Sequence, residues 1–222
     1  MEIIRNKLKM NKLDKAFKLK VEWIKEECGK ELFDSIDEAN FEGSDKRSAK
    51  AFAEIIRPKE EIRQNCKNMM KSFAIDGETD EELGMITLGP VIAHSLCPHH
   101  LLPVSYEVYV SYVPQKGKNA KVLGLSKLAR LAKEVCKYPM LQESYAKNLA
   151  DVLYKGNDWL EGVGSAGSAV QVVGIHNCIA CRGVESDSLT VTTEIRGCYK
   201  NNDLEEKFYK QIEAARISKI RG

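Results

Sequence analysis

Two short segments hold the residue types best suited to chemistry. Cys97-Pro98-His99-His100 is answered, 76 residues beyond His100, by His176-Asn177-Cys178-Ile179-Ala180-Cys181-Arg182-Gly183, and three of the chain's four histidines fall within them. Thiolate sulfur together with imidazole nitrogen selects zinc, a d¹⁰ ion with no geometric demand of its own. Cys97, His100 and Cys178 would supply three protein ligands and leave a fourth position for water, as in catalytic zinc sites. A second arrangement is a closed structural site with Cys181 as fourth ligand, since Cys178-x-x-Cys181 has knuckle spacing. A third leaves the cysteines unmetallated, as small apolar core groups. His99 and His176 favour the first, because a structural staple has no use for two further imidazoles that carry protons near neutral pH.

Ligands must be held on a rigid frame, and the flanking sequence supplies one. Residues 85–95 and 104–113 read as strands, the second alternating Val104, Tyr106, Val108, Val110 and Tyr112 against Ser105, Glu107 and Ser111. Residues 97–103 are then a sheet-anchored turn, which fixes a metal site better than a free loop does. After a turn at 114–118, Leu125-Ser126 caps a helix with a stripe of Leu128, Leu131, Ala132, Val135 and Cys136, leaving Lys127, Arg130 and Lys133 outward. Pro139 separates it from a helix over 141–154, with Tyr145, Leu149, Ala150 and Leu153 inward. A glycine-rich loop spans 156–167, where Trp159-Leu160 plugs an apolar gap, and strands follow over 169–176 and 189–196. Strand pair, two helices, strand pair gives an α+β unit: a four-stranded antiparallel sheet with two helices on one face.

Ahead of this unit the pattern is helical. A charged amphipathic helix is predicted over 8–28, with Leu13, Phe17, Val21, Trp23 and Ile24 on its apolar side and Gly29 ending it, followed by an acidic connector over 31–45. Ser44 reads as the N-cap of a helix carrying Ala49, Phe52, Ala53 and Ile56, stopped by Pro58. Another helix is predicted over 59–73 with Ile62, Cys66, Met69, Met70 and Phe73 inward, then an acidic turn at 76–82.

Composition narrows the class. With 34 basic and 32 acidic residues the formal charge is +2, so no general affinity for polyanions such as nucleic acid is implied, and any phosphate site must be built locally. No apolar run approaches the ~20 residues that span a membrane. The first residues lack the apolar core and cleavage site of a secretory signal. Seven scattered cysteines do not form a secreted disulfide framework and suit a reducing, cytoplasmic setting. Cys28, Cys66, Cys136 and Cys198 are assigned no chemistry.

Taken together, Cys97-x-His99-His100-Leu101-Leu102-Pro103, Gly124-Leu125-Ser126-Lys127-Leu128-Ala129-Arg130, Gln142-Glu143 and His176-x-Cys178-x-x-x-Arg182-Gly183 resemble GTP cyclohydrolase I, in order and spacing, over about residues 44 to 199. The resemblance implies the tunnelling fold, with a helical extension over 1–43 and the family-like domain over 44–222: helical lead-in 44–82, sheet and helices 83–200, and a C-terminal helix 201–222. It implies a homo-oligomer, a decamer of two pentameric rings with active sites at subunit interfaces. Two open sheet edges give a physical motive for such assembly. It further implies GTP as substrate, zinc on Cys97, His100 and Cys178, protonation of a purine ring nitrogen by His176 and a supporting proton transfer by His99. Glu143 would read guanine, with Gln142 its neighbour in that pocket. Ser126, Lys127, Arg130 and Arg182 would hold the triphosphate with Arg47 and Lys50, which lie three apart on one helical face. The implied product, 7,8-dihydroneopterin triphosphate, is a precursor for pterins, folates or 7-deazaguanines.

Three residues depart from that pattern. Pro98 replaces the usual glutamate, removing a backbone N–H and a carboxylate from the turn. His94 stands where an aromatic residue is common, and Cys181 adds a thiol beside the ligands.

Overall fold

In the structure, a computed structural model that describes residues 2–27, 38–74, 84–117 and 121–221, backbone contacts divide the chain into two units, 1–56 and 57–222. The first unit holds helices α1 (Glu2–Glu27), α2 (Glu38–Phe41) and α3 (Ser44–Ile55). Along α1, Leu13, Phe17, Val21 and Ile24 are half-buried, and the Phe17 ring meets Phe52 of α3 edge-on with centroids 5.7 Å apart. Trp23, expected on the same stripe, is instead 58% exposed, because a spacing of four, four and three turns the apolar face away from it. Ser44 is the first helical residue rather than the cap. Gly43 takes the cap position at φ 69°, a left-handed conformation glycine adopts without steric cost, and the Ser44 hydroxyl donates to the Asn40 carbonyl at 3.3 Å. The connector expected over 31–45 is helical where α2 and α3 occupy it; residues 31–37, with Cys28 and Gly29, lie outside the described residues, as does the acidic turn at 76–82.

The second unit opens with α4 (Lys59–Met69), which buries Ile62 and Cys66 and ends earlier than expected. Phe73 falls on a short strand, β1 (Ser72–Ala74), and is 54% exposed. Then come β2 (Ile86–Leu96), β3 (Pro103–Val113), β4 (Lys121–Leu123), α5 (Leu125–Val135), α6 (Gln142–Leu153), β5 (Gly167–His176), α7 (Asn177–Ala180), β6 (Thr190–Gly197), a 3₁₀ turn (Cys198–Lys200) and α8 (Asn202–Arg221). The main sheet runs β2-β3-β5-β6, antiparallel throughout, with β2 and β6 at its edges; β1 and β4 form a separate two-stranded pair. The chain therefore has the α+β architecture expected, a four-stranded antiparallel sheet with helices ahead of it.

Alternation distributes the core over both faces of the sheet. Tyr106, Val108, Val110 and Tyr112 of β3, with Val170 and Val172 of β5, pack with Leu128, Leu131, Ala132 and Val135 of α5 and Tyr145, Leu149 and Leu153 of α6. Tyr145 ties the two helices together by donating its buried hydroxyl to Ala132 O at 2.6 Å. Tyr109, Val113 and Ala169 face the other way, against Tyr199 of the 3₁₀ turn and Phe208 and Ile212 of α8. So α5 and α6 share one face as expected, and the C-terminal helix backs the opposite one. Leu160 is buried and Trp159 packs partly against the core, filling the gap assigned to them. Cys66 and Cys136 are core residues whose thiols burial pushes up to about 12, so they stay neutral.

Candidate active site

Strand register brings the two sequence segments to one end of the sheet. Leu96 pairs with Pro103 and Val104 with His176, so the β2–β3 turn and the end of β5 are adjacent. That turn is closed by Cys97 N–H donating to Leu102 O at 2.9 Å and Leu101 N–H donating to Cys97 O at 2.8 Å. Leu101 sits at φ 55°, a left-handed conformation uncommon for a residue with a side chain and held here by the two bonds around it. Immediately after β5, the single turn of α7 carries Cys178.

The result is a group of three, Cys97, His100 and Cys178, whose ligand atoms all lie within 4.8 Å of one another. Cys97 Sγ and His100 Nδ1 are 3.6 Å apart. Sulfur and nitrogen bound to one tetrahedral zinc stand about 3.6 Å apart, so the donor set fits that ion in type and spacing. Burial, and then the neighbouring Cys97 thiol, raise the Cys178 pKa, a cost that a cation between them offsets. Cys181 lies outside the group: exposed, it donates its thiol to the Asn177 carbonyl at 2.8 Å. Among the described residues the cluster therefore has three members, not four.

Beside the cluster is a cavity of about 240 Å³ lined by residues 97–100, residues 140–143 and His176, Cys178, Ile179 and Thr190. Pro98 contributes to its wall. His99 stands edge-on to His100, with ring centroids 6.1 Å apart. Glu143 is exposed in the first turn of α6. Burial lowers the pKa of His176 below the ordinary histidine value, and the Glu143 carboxylate partly opposes that shift. The Tyr106 ring meets His176 edge-on at 6.0 Å. Gln142, the first residue of α6, is buried and accepts a hydrogen bond from His176 Nε2 at 2.8 Å.

Of the other expected site residues, three are on α5, one follows α7 and two belong to the first unit. Ser126, Lys127 and Arg130 occupy the first turns of α5 without lining this cavity, and Gly124, in extended conformation, holds the cap position expected of Leu125-Ser126. Arg182 is exposed beyond α7, near enough to favour the Cys178 thiolate, but it also does not line the cavity. Arg47 and Lys50 belong to the first unit. There the Arg47 guanidinium donates to Glu42 O at 2.7 Å, Asn40 O at 3.1 Å and Ser44 Oγ at 2.9 Å, and Lys50 is exposed. His94 bonds Ser105 Oγ at 3.2 Å on β2 and is not part of the cavity wall. Tyr106, Gly174, Thr190 and Thr192 also shape the site, through contacts with His176 and Gln142, and sequence alone does not mark them as site residues because those contacts depend on strand register.

Fold and site define a class: an α+β protein with a sheet-anchored Cys/His/Cys group able to hold a metal ion. The family model described as GTP cyclohydrolase I matches residues 26–213, and the chain belongs to that family. Its relatives include proteins named GTP cyclohydrolase 1 from Acetivibrio thermocellus, 36% identical over 142 residues (64% of this chain, 69% of the relative), and from Campylobacter jejuni, 30% identical over 194 residues (86% and 95%). Another, from Pelotomaculum thermopropionicum, is 32% identical over 193 residues (86% and 90%). Among solved structures, the archaeosine synthase QueF-Like in the apo form aligns with TM-score 0.39 at 17% identity, over 53% of this chain and 97% of that one, too weak a likeness to carry an argument.

Proposed function

We propose that the protein is a zinc-dependent GTP cyclohydrolase I that hydrolyses GTP to 7,8-dihydroneopterin triphosphate and formate, supplying a pterin, folate or 7-deazaguanine pathway in the cytoplasm. The observation that supports this best is the Cys97, His100 and Cys178 group set against a cavity that also holds His99, Glu143 and His176. Zinc held by those three residues would supply a Lewis acid and water acidified to a pKa of about 7. Opening the five-membered ring of guanine requires addition at the carbon between two nitrogens, protonation of a ring nitrogen and cleavage of the resulting formamide. His176 gives the proton to the ring nitrogen, and His99 handles the accompanying transfer at the mouth of the site. Glu143 accepts two parallel hydrogen bonds, from N1–H and the 2-amino group, a pair adenine does not offer.

The triphosphate needs convergent cations. We assign it Ser126, Lys127, Arg130 and Arg182, with Arg47 and Lys50. Ser126 and Lys127 stand in the first turn of α5, where free N–H groups add positive potential. Since Ser126, Lys127 and Arg130 do not line the cavity of their own chain, they complete the site of a neighbouring copy, in a decamer of two pentameric rings joined through the open edges β2 and β6. In this reading the segment 1–43 is a helical extension ahead of a catalytic domain at 44–222.

The test is direct. Zinc-loaded protein incubated with GTP should release formate and a product that fluoresces as a pterin after oxidation; a chelator should abolish both and added zinc restore them. Absence of either product from fully loaded protein overturns the proposal.

A further inference from the structure

Gln142 was expected to touch substrate, yet its side chain has no group to spare. Its amide nitrogen lies 3.1 Å from Val172 O, 2.9 Å from Thr190 O and 3.1 Å from Thr192 Oγ1, so two hydrogens face three acceptors. Reversing the amide would set its oxygen against two carbonyl oxygens, so this network fixes the orientation. The oxygen, 2.8 Å from His176 Nε2, must then accept from that nitrogen. A second observation points the same way. A Cβ on Gly174 would come within 2.2 Å of Gln142 Oε1 and 3.1 Å of His176 Nε2, so the pair fits only over a glycine.

We propose that Gln142 is a positioning residue: it holds the His176 ring with a proton on Nε2, which leaves Nδ1 as the nitrogen facing a bound purine and as the site where the ring takes a second proton from solvent before passing it on. This rests on the role given to His176 above. Which nitrogen of a histidine carries the proton is set by the partner of the other one, and here that partner is itself locked by backbone carbonyls of β5 and β6. Glu143, the next residue, is left free to face the substrate. One helix start thereby serves two tasks, with the buried side chain holding the acid and the exposed one available to the base.

The test is ¹⁵N solid-state NMR of histidine-labelled, zinc-loaded protein, with the His176 signals identified by their loss in His176→Asn. Wild type should show His176 as a single Nε2–H tautomer without substrate. Gln142→Met, which keeps length but cannot accept, and Gly174→Ala, which displaces the amide oxygen, should each mix the tautomers. In GTP turnover both should lower kcat by about 100-fold, the scale of general acid catalysis, with KM within about twofold. A wild-type Nδ1–H tautomer overturns the proposal, as does a variant that keeps Nε2–H while KM rises, the mark of a lost substrate contact. The wild-type spectrum decides even if the variants do not fold, and it is independent of whether GTP is the substrate.

Discussion

Cys181 stands three residues from Cys178, a member of the group able to hold a metal ion, and by spacing alone it could close the site. Its thiol instead donates to the Asn177 carbonyl of the same turn, a bond serine can also make. We expect Cys181→Ser to retain about one zinc per chain by metal analysis, whereas Cys178→Ser loses tenfold or more in zinc affinity, since one of three ligands is gone. The three-membered cluster was legible in the sequence because cysteine and histidine are sparse and their chemistry is narrow. The caps were not. Ser44 and Ser126 read as N-caps because hydroxyls satisfy free N–H groups, but Gly43, one residue before Ser44, and Gly124, two before Ser126, take the cap positions with no side-chain bond. Gln142 entered the expected site only through the family resemblance, and its partnership with His176 was not legible, since that pairing requires Thr190 and Val172 carbonyls to lie side by side across two strands.

At the level of elements, alternation announced the four strands and three-four spacing announced α5 and α6, and each lies within two residues of where the pattern put it. What alternation leaves open is which elements cover which face. The odd positions of β3 include Tyr109 and Val113, large enough to be core or surface, and α8 covers them. Phe208 is buried there, with its ring edge-on to Tyr199 at 6.3 Å. Replacing Phe208 with alanine should cost about 3–5 kcal/mol in chemical denaturation, the usual range for a buried phenylalanine. Zinc content and kcat measured well below the melting temperature should stay near wild type, because α8 lies on the face opposite α5 and α6. Loss of zinc in the folded variant would show that α8 supports the site itself. The short β1–β4 pair escaped notice since three residues are too few for a period to show.

For the molecule as a whole, the separation between the cavity and the basic turn of α5 matters most. A chain altered to Glu143→Ala still carries an intact α5, and a chain altered to Lys127→Ala still carries an intact cavity. Each alone should be nearly inactive. In the ring assembly proposed above, the two chains dissociated, mixed in equal amounts and reassembled should regain about one quarter of wild-type turnover, because random placement joins a sound cavity to a sound α5 at one junction in four. No recovery would mean that both halves act within one chain. A gene for such a protein would then show interallelic complementation, with two separately defective copies sustaining a cell that neither could support by itself.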